Sequence, residues 1–221
     1  MSKVLAGITV SLDGYVTGPN DRPGAGLGEG GERLHYWVFG GPWTYAGGAR
    51  GTPAEPDRAY LDEAFGSAGA WIVGRTMHDV VDGWGEDPGF GVPVFVVTSR
   101  PHAMVVKGDT TFEFLTGGIR EAHDRATAAA GEQNVLVMGG ADVLRQFLAA
   151  GLVDELIVYQ APTILGSGKN AVADLGIRTL ADAQHWDWDE SDGGAVRRLG
   201  ADLRLHLVPA ATATASEKEI H

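Results

Sequence analysis

The chain has no cysteine among its 221 residues, which excludes disulfides, thiolate nucleophiles and cysteine-ligated zinc and fits a reducing compartment. Basic residues are scarce. Seventeen Lys and Arg stand against 29 Asp and Glu, a formal charge of −12, so neither a nucleic-acid backbone nor an anionic membrane is the expected partner. Any bound anion must be held by a local group of donors. Long apolar runs are also missing. Met1-Ser2-Lys3 leads into an apolar run from Val4 to Ile8 that stops at Thr9 and Ser11, too short for a signal-peptide core. No stretch reaches the roughly 18 apolar residues that a membrane helix needs. The expectation is a soluble, cytoplasmic protein.

Hydrophobic residues make up 44% of the chain, enough for a compact core. Many of its 33 glycines fall between Gly14 and Gly51, with Pro19, Pro23, Pro42 and Pro53, which marks a long loop system. Within it, residues 32–39 form an amphipathic run ended by Gly40-Gly41-Pro42, the pattern of a two-turn helix. Elsewhere the pattern alternates. It predicts strands over 4–10, 70–73, 92–98, 111–115, 135–138 and 155–160, and helices over 56–65, 76–81, 118–130 and 142–149. A terminal strand alternates at Leu203, Leu205 and Leu207, and His185 to Glu190 is expected in a strand or loop near it. Strands such as Val94-Phe95-Val96-Val97 are apolar on both faces, so helices must cover both sides of the sheet. The reading is one three-layer α/β domain over residues 1–209, with 210–221 a mobile tail.

Three segments place glycine or small polar residues directly after an apolar strand, where open α/β sheets gather ligands. In Ile72-Val73-Gly74-Arg75-Thr76 the glycine permits a tight turn, Arg75 is a fixed cation and Thr76 can donate to a phosphate oxygen; an ordinary helix cap with a solvated arginine fits the same residues. Thr98-Ser99-Arg100-Pro101 suits a phosphate monoester, or is a polar turn stopped by Pro101. Gly139-Gly140-Ala141-Asp142-Val143 can turn backbone amides toward a pyrophosphate at a helix start. That glycine pair lacks the G-x-G-x-x-G spacing, and no G-x-x-x-x-G-K-[ST] occurs, which argues against a P-loop NTPase.

The three segments, with Gly7-Ile8-Thr9-Val10-Ser11-Leu12-Asp13-Gly14-Tyr15-Val16, Asp154-Glu155-Leu156 and Ala161-Pro162-Thr163-Ile164-Leu165-Gly166, resemble the dihydrofolate reductase-like superfamily. The branch they most resemble holds the C-terminal reductase domain of the bacterial riboflavin-biosynthesis enzyme. The resemblance implies a central, mostly parallel sheet with an antiparallel C-terminal strand, an NADPH cofactor and a homodimer. Carried over by motif, it places Thr9 and the loop through Val16 beside the nicotinamide. Arg75, Ser99 and Arg100, with Thr98 in the same turn, would face the adenosine 2′-phosphate. Gly74, Thr76 and the amides of Gly139, Gly140, Ala141, Asp142 and Val143 would hold the pyrophosphate. Folate reductases carry a carboxylate on the first helix, whereas the matching stretch here is Leu34-His35-Tyr36-Trp37, with Glu32 one turn earlier; folate is not the implied substrate.

The implied function is an NADPH-dependent oxidoreductase passing hydride to a small polar heterocycle or a conjugated carbonyl or imine. The alternative is a nucleotide-binding module of the same fold without turnover. His35, an imidazole that ordinarily titrates near neutrality, is the candidate proton donor, with packing or capping as its other reading. Asp13 either orients substrate or supports Gly14 through an Asx turn. Gln160 either bonds a polar substrate ring or ends its strand, and Trp37, with Phe39, Trp43 and Trp84, either walls a substrate pocket or packs in the core. His78, Asp79 and Asp82 lack metal-site spacing and are expected on a solvated helix face, so no metal is expected.

Overall fold

The computed structural model describes residues 2–48, 51–53, 55, 57–173, 175–179, 182–190, 195–199 and 202–210. Residues 211–221, all but the first of the expected tail, lie outside the described residues. Strand β1 (Val4–Val10) is flanked in parallel by β6 (Asn134–Gly139) and β7 (Glu155–Gln160). The parallel ladder continues from β6 through β2 (Ala68–Gly74) and β3 (Val94–Val97) to β5 (Thr110–Leu115). Antiparallel strands close both ends. β4 (Val105–Lys107) pairs with β5; β10 (Asp202–Pro209) pairs with β7 and carries β8 (Trp186–Trp188) and β9 (Val196–Leu199). Among the described residues the sheet has ten strands, mostly parallel at its centre.

Helices α3 (Gly118–Ala130) and α4 (Ala141–Ala149) cover one face. Ala122, Ala126 and Ala130 recur every fourth residue, so α3 lies close to the sheet, while Val143, Leu144, Phe147 and Leu148 of α4 pack with Val4, Ala6, Ala70, Ile72, Val135 and Val137. Burying a side chain the size of Phe147 is worth roughly 1.5–3 kcal/mol. On the opposite face lie α1 (Asp57–Gly66) and α2 (Arg75–Val80), with a core of Leu5, Trp71, Val73, Val94, Val96, Phe112 and Leu136. Ile72 and Val73 are neighbours facing opposite cores, as the three-layer expectation requires. Among the described residues no helix is long and apolar enough to cross a membrane.

One expectation changes. The run over 32–39 is a 3-10 turn, Gly31–His35, followed by turns. Gly30 (φ 73°) before it and Gly40 (φ 70°) after it adopt left-handed backbone that stops an α-helix from extending. On β10 the alternation leaves open which face is inward, and the structure buries the polar one. Asp202 is 1% and Arg204 3% exposed, whereas Leu203 is 40% exposed. The polar face is buried because other elements bring it partners: Arg33 bonds Asp202, the Tyr60 ring lies 4.8 Å from the Arg204 guanidinium, and Glu155 pairs with His206 at 2.9 Å.

Candidate functional site

The strands β3, β2 and β6 are adjacent and parallel, so their carboxyl ends stand side by side, with Gly74 opposite Val97 and Val73 opposite Gly139. The first and third ends touch. A Cβ built on Gly74 would lie 3.1 Å from Val143 Cγ2 and 3.5 Å from the Gly140 nitrogen, so the β2 end approaches the start of α4 more closely than a larger residue would do without a shift of Val143. Gly139 has φ 102°, a backbone that favours glycine, and its peptide bond to Gly140 is cis. Gly140 precedes α4 in extended backbone, and a Cβ there would meet nothing within 4 Å. The first helical bond is donated by Leu144 to the Gly140 carbonyl, so the amides of Ala141, Asp142 and Val143 have no acceptor within the helix. The Asp142 carboxylate does not cap them. It accepts from Arg145 (3.3 Å) and Gln146 (2.8 Å) along the helix flank. The end of α4 therefore combines donors with no acceptor within the helix, a positive dipole end and, at Gly140, open space.

At the β2 and β3 ends, Asp79 gathers the cations. Arg75 Nε donates to Asp79 Oδ1 at 2.6 Å, His78 Nδ1 lies 3.1 Å from the same oxygen, and Arg100 Nη2 lies 3.7 Å from Oδ2. Burial alone would raise the Asp79 carboxyl, but hydrogen bonds from His78 and Arg75 outweigh it and hold it below the usual carboxylate range. The Phe114 ring floors the cluster, 5.2 Å from the Arg75 guanidinium and 4.4 Å from the His102 ring. Thr98 Oγ1 accepts the Arg100 amide at 3.1 Å and shapes the turn carrying the exposed Ser99 and Arg100. Thr76 follows Arg75 in the first turn of α2. The expected solvated face of α2 is thus corrected: His78 packs edge-on to Phe112 and Phe114, and two guanidiniums contact the Asp79 carboxylate.

The loop after β1 closes against the same end of α4. Val16 packs with Val10, Ala141 and Ala171. Asp13 anchors that loop: Oδ1 accepts from Ser11 Oγ (2.6 Å) and the Leu165 amide (3.2 Å), and Oδ2 from the Gly166 amide (2.7 Å). The Ser11 hydroxyl, then the Gly166 and Leu165 amides, hold its carboxyl below the ordinary range against the opposing effect of burial. Both oxygens are thereby committed to joining residues 11–14 to 165–166. Thr9 Oγ1 accepts from Trp37 Nε1 at 3.1 Å, and Trp37 stacks on Tyr159 with centroids 3.9 Å apart. Trp37 therefore backs Thr9 from the core. The other aromatics separate, since Phe39 and Trp43 pack on each other and Trp84 packs with Phe90 and Phe112, so the four do not wall one pocket. Gln160 ends β7 half-buried, between Val10 and Leu203.

His35 lies in the 3-10 turn, edge-on to Phe39. Burial pushes its imidazole down to about 4, so titration near neutrality is corrected: the ring is uncharged at pH 7. The folded state then resists protonating His35 between its unfolded value of 6.5 and about 4. Stability should be fully present above that window and fall as pH drops through it. Thermal unfolding followed over this range should show the slope in the wild type and lose it in His35→Gln.

Sequence reasoning missed a buried charge cluster beside Trp37 and Tyr159. Arg33 Nη2 donates to Asp202 Oδ1 at 2.7 Å, and Asp57 stands in the first turn of α1, the first α-helix of the fold. Burial pushes Asp57 up, reinforced by the Asp202 charge. Asp57 is thus an acidic residue in the first turn of the first α-helix, whereas Glu32 lies in the preceding 3-10 turn. Its only sequence signal was an Asp following Pro56 at a helix start. At the amino end of β7, away from the three strand ends, Glu155, Asp189 and His206 bring ligand-type atoms within 4.8 Å of one another, with Lys3 bonded to Glu155.

The RibD C-terminal domain family matches residues 2–191. Among curated relatives, the riboflavin biosynthesis protein RibD of Mycobacterium tuberculosis is 35% identical over 113 residues, 51% of this chain and 29% of that protein. RibD of Escherichia coli is 42% identical over 78 residues, 35% of this chain and 20% of that protein. The matched regions thus span under a third of those relatives' lengths. A putative riboflavin biosynthesis protein from Shewanella superposes with a TM-score of 0.66 at 19% identity, covering 95% of this chain and 99% of that one. The Thermotoga maritima diaminohydroxyphosphoribosylaminopyrimidine deaminase/5-amino-6-(5-phosphoribosylamino)uracil reductase gives 0.58 at 13% identity, over 95% of this chain and 57% of that one. At these identities the likeness is one of fold.

Proposed function

Since the chain belongs to the RibD C-terminal domain family, we propose that it is a cytoplasmic NADPH-dependent reductase of the riboflavin-pathway type, acting on a small polar heterocycle or a conjugated carbonyl or imine. One observation carries this reading: three adjacent strand ends offer a helix start whose first amides have no acceptor within the helix, a glycine turn and two arginines, the set that a pyrophosphate and a third phosphate require. The residues fit the cofactor, because Gly140 opens onto space that a Cβ would fill.

In this reading the amides from Gly139 to Val143 and the Thr76 hydroxyl hold the pyrophosphate. Arg75, Ser99 and Arg100 take the 2′-phosphate. Thr9, held by Trp37, and the loop through Val16, anchored by Asp13, border the nicotinamide. The bound cofactor supplies hydride. The chain orients the reactants and excludes water, and a neutral His35 would act by passing on a proton from water rather than by storing one. Gln160, at the same edge of the sheet, would bond the polar substrate.

Replacing Arg75 and Arg100 together by Ala should weaken NADPH by about 100-fold and NADH by far less, because charge-assisted hydrogen bonds to the extra phosphate contribute roughly 1.5–3 kcal/mol each. Titration by nicotinamide fluorescence checks this, and equal losses for both cofactors would remove these arginines from the site. Oxidation of NADPH with a panel of pteridines, flavin precursors and quinones tests turnover. Binding without oxidation by any of them would favour the alternative, a module that binds nucleotide without catalysis.

We also propose a homodimer. Leu203, Leu205 and Leu207 share one face of β10 with Val196 and Trp188, their cross-strand partners, and Leu203, Val196 and Trp188 are exposed. Light scattering should give twice the mass expected for 221 residues, and Leu203→Lys should shift it toward the monomer.

A further inference from the structure

We propose that Asp79 sets the choice between the phosphorylated and the unphosphorylated dinucleotide, as the resident counter-ion that a 2′-phosphate must displace from Arg75 and Arg100. This rests on the cofactor reading above. Two guanidiniums at adjacent strand ends share one carboxylate, and the two contacts differ. Arg75 is the anchored partner, bonded at 2.6 Å through Nε and laid over the Phe114 ring, which leaves its terminal nitrogens for another acceptor. Arg100 is the loose partner: it is largely exposed, its contact is 3.7 Å, and its backbone amide is held separately by Thr98. An incoming phosphate can therefore take Arg100 over while Arg75 keeps its orientation.

The carboxylate acts oppositely on the two ligands. A carboxylate near an adenosine ribose accepts a hydrogen bond from a free 2′-hydroxyl, the device by which dinucleotide folds hold NAD, whereas an arginine there accommodates a 2′-phosphate. Beside a phosphate dianion the same carboxylate repels, and it withholds part of the arginine charge. Among the described residues, His78 lies on the same Asp79 oxygen, His102 packs on Phe114, Lys107 stands near His78, and β5 contributes Phe112 and Phe114. Arg75 and Arg100 thus favour NADPH, and Asp79 limits that preference.

The test is the ratio of NADPH and NADH dissociation constants in wild-type protein, Asp79→Asn and Asp79→Glu. Asp79→Asn should tighten NADPH about tenfold, ~1.4 kcal/mol, and leave NADH unchanged or weaker. Asp79→Glu, which keeps the charge, should retain the wild-type ratio. Asp79 is partly exposed, so loss of fold is not expected, and Asp79→Ser supplies the same comparison if the asparagine variant is unstable. Equal weakening of both cofactors in Asp79→Asn would reduce Asp79 to a scaffold for Arg75 and overturn the proposal. Wild-type protein that binds neither dinucleotide overturns the cofactor reading first, and this proposal with it; that outcome is visible before any variant is measured.

Discussion

Gly140→Val is expected to abolish dinucleotide binding, weakening it by about 100-fold or more (~3 kcal/mol), while the protein stays folded. The two outcomes separate because Gly140 differs from the glycines around it. Its φ is −66°, a value open to any residue, and a Cβ there would touch no protein atom within 4 Å. The obstruction would fall in the space faced by the amides of Ala141 to Val143, where a pyrophosphate must approach backbone closely. Gly139, at φ 102°, would strain its own backbone if replaced. Gly74→Val would drive into Val143 and displace the start of α4. Circular dichroism and the thermal midpoint should therefore be near wild type for Gly140→Val and lowered for the other two. Wild-type affinity in folded Gly140→Val would take the amino end of α4 out of the site.

The features legible in sequence were local ones. Helix α3 and strand β7 were found at their observed bounds, because alanine spacing, glycine ends and a continuous apolar run are written within each segment. The strand ends were legible for the same reason, since a glycine or hydroxyl directly after an apolar run marks the turn wherever the strand packs. Asp79 was misread because its role depends on Arg100, which reaches it from a neighbouring strand end. Period-two alternation in β10 said that Leu203 and Arg204 face opposite ways, not which side is buried. That was decided by Arg33 and Tyr60, more than 140 residues earlier in the chain. The type of His35 was visible and its charge state was not, because desolvation is set by tertiary packing. Strands β4 and β8 have three residues each, too few to show a period.

The buried cluster on β10 should dominate stability. Asp202→Ala leaves the Arg33 guanidinium without its 2.7 Å partner in a mostly buried position, and breaking such a pair costs about 3–5 kcal/mol. That is a large share of the ~5–15 kcal/mol that stabilises a typical domain. A lower urea midpoint should follow, and Arg33→Met with Asp202→Leu should recover much of the loss by removing both charges. Asp57 should behave oppositely. Burial and the Asp202 charge raise its folded-state pKa above the unfolded 3.8, so the folded state holds the proton more tightly. The resulting stabilisation is complete below 3.8 and is lost as pH rises through the folded value. At neutral pH the ionised Asp57 is thus a liability, with one carboxylate oxygen buried and, among the described residues, lacking a hydrogen-bond partner. Asp57→Asn should raise the urea midpoint at pH 7, with the gain shrinking as the medium is acidified toward 3.8. An Asp202→Ala midpoint equal to wild type would mean that Arg33 finds other partners or water, and that the polar face of β10 is buried without its charges depending on one another.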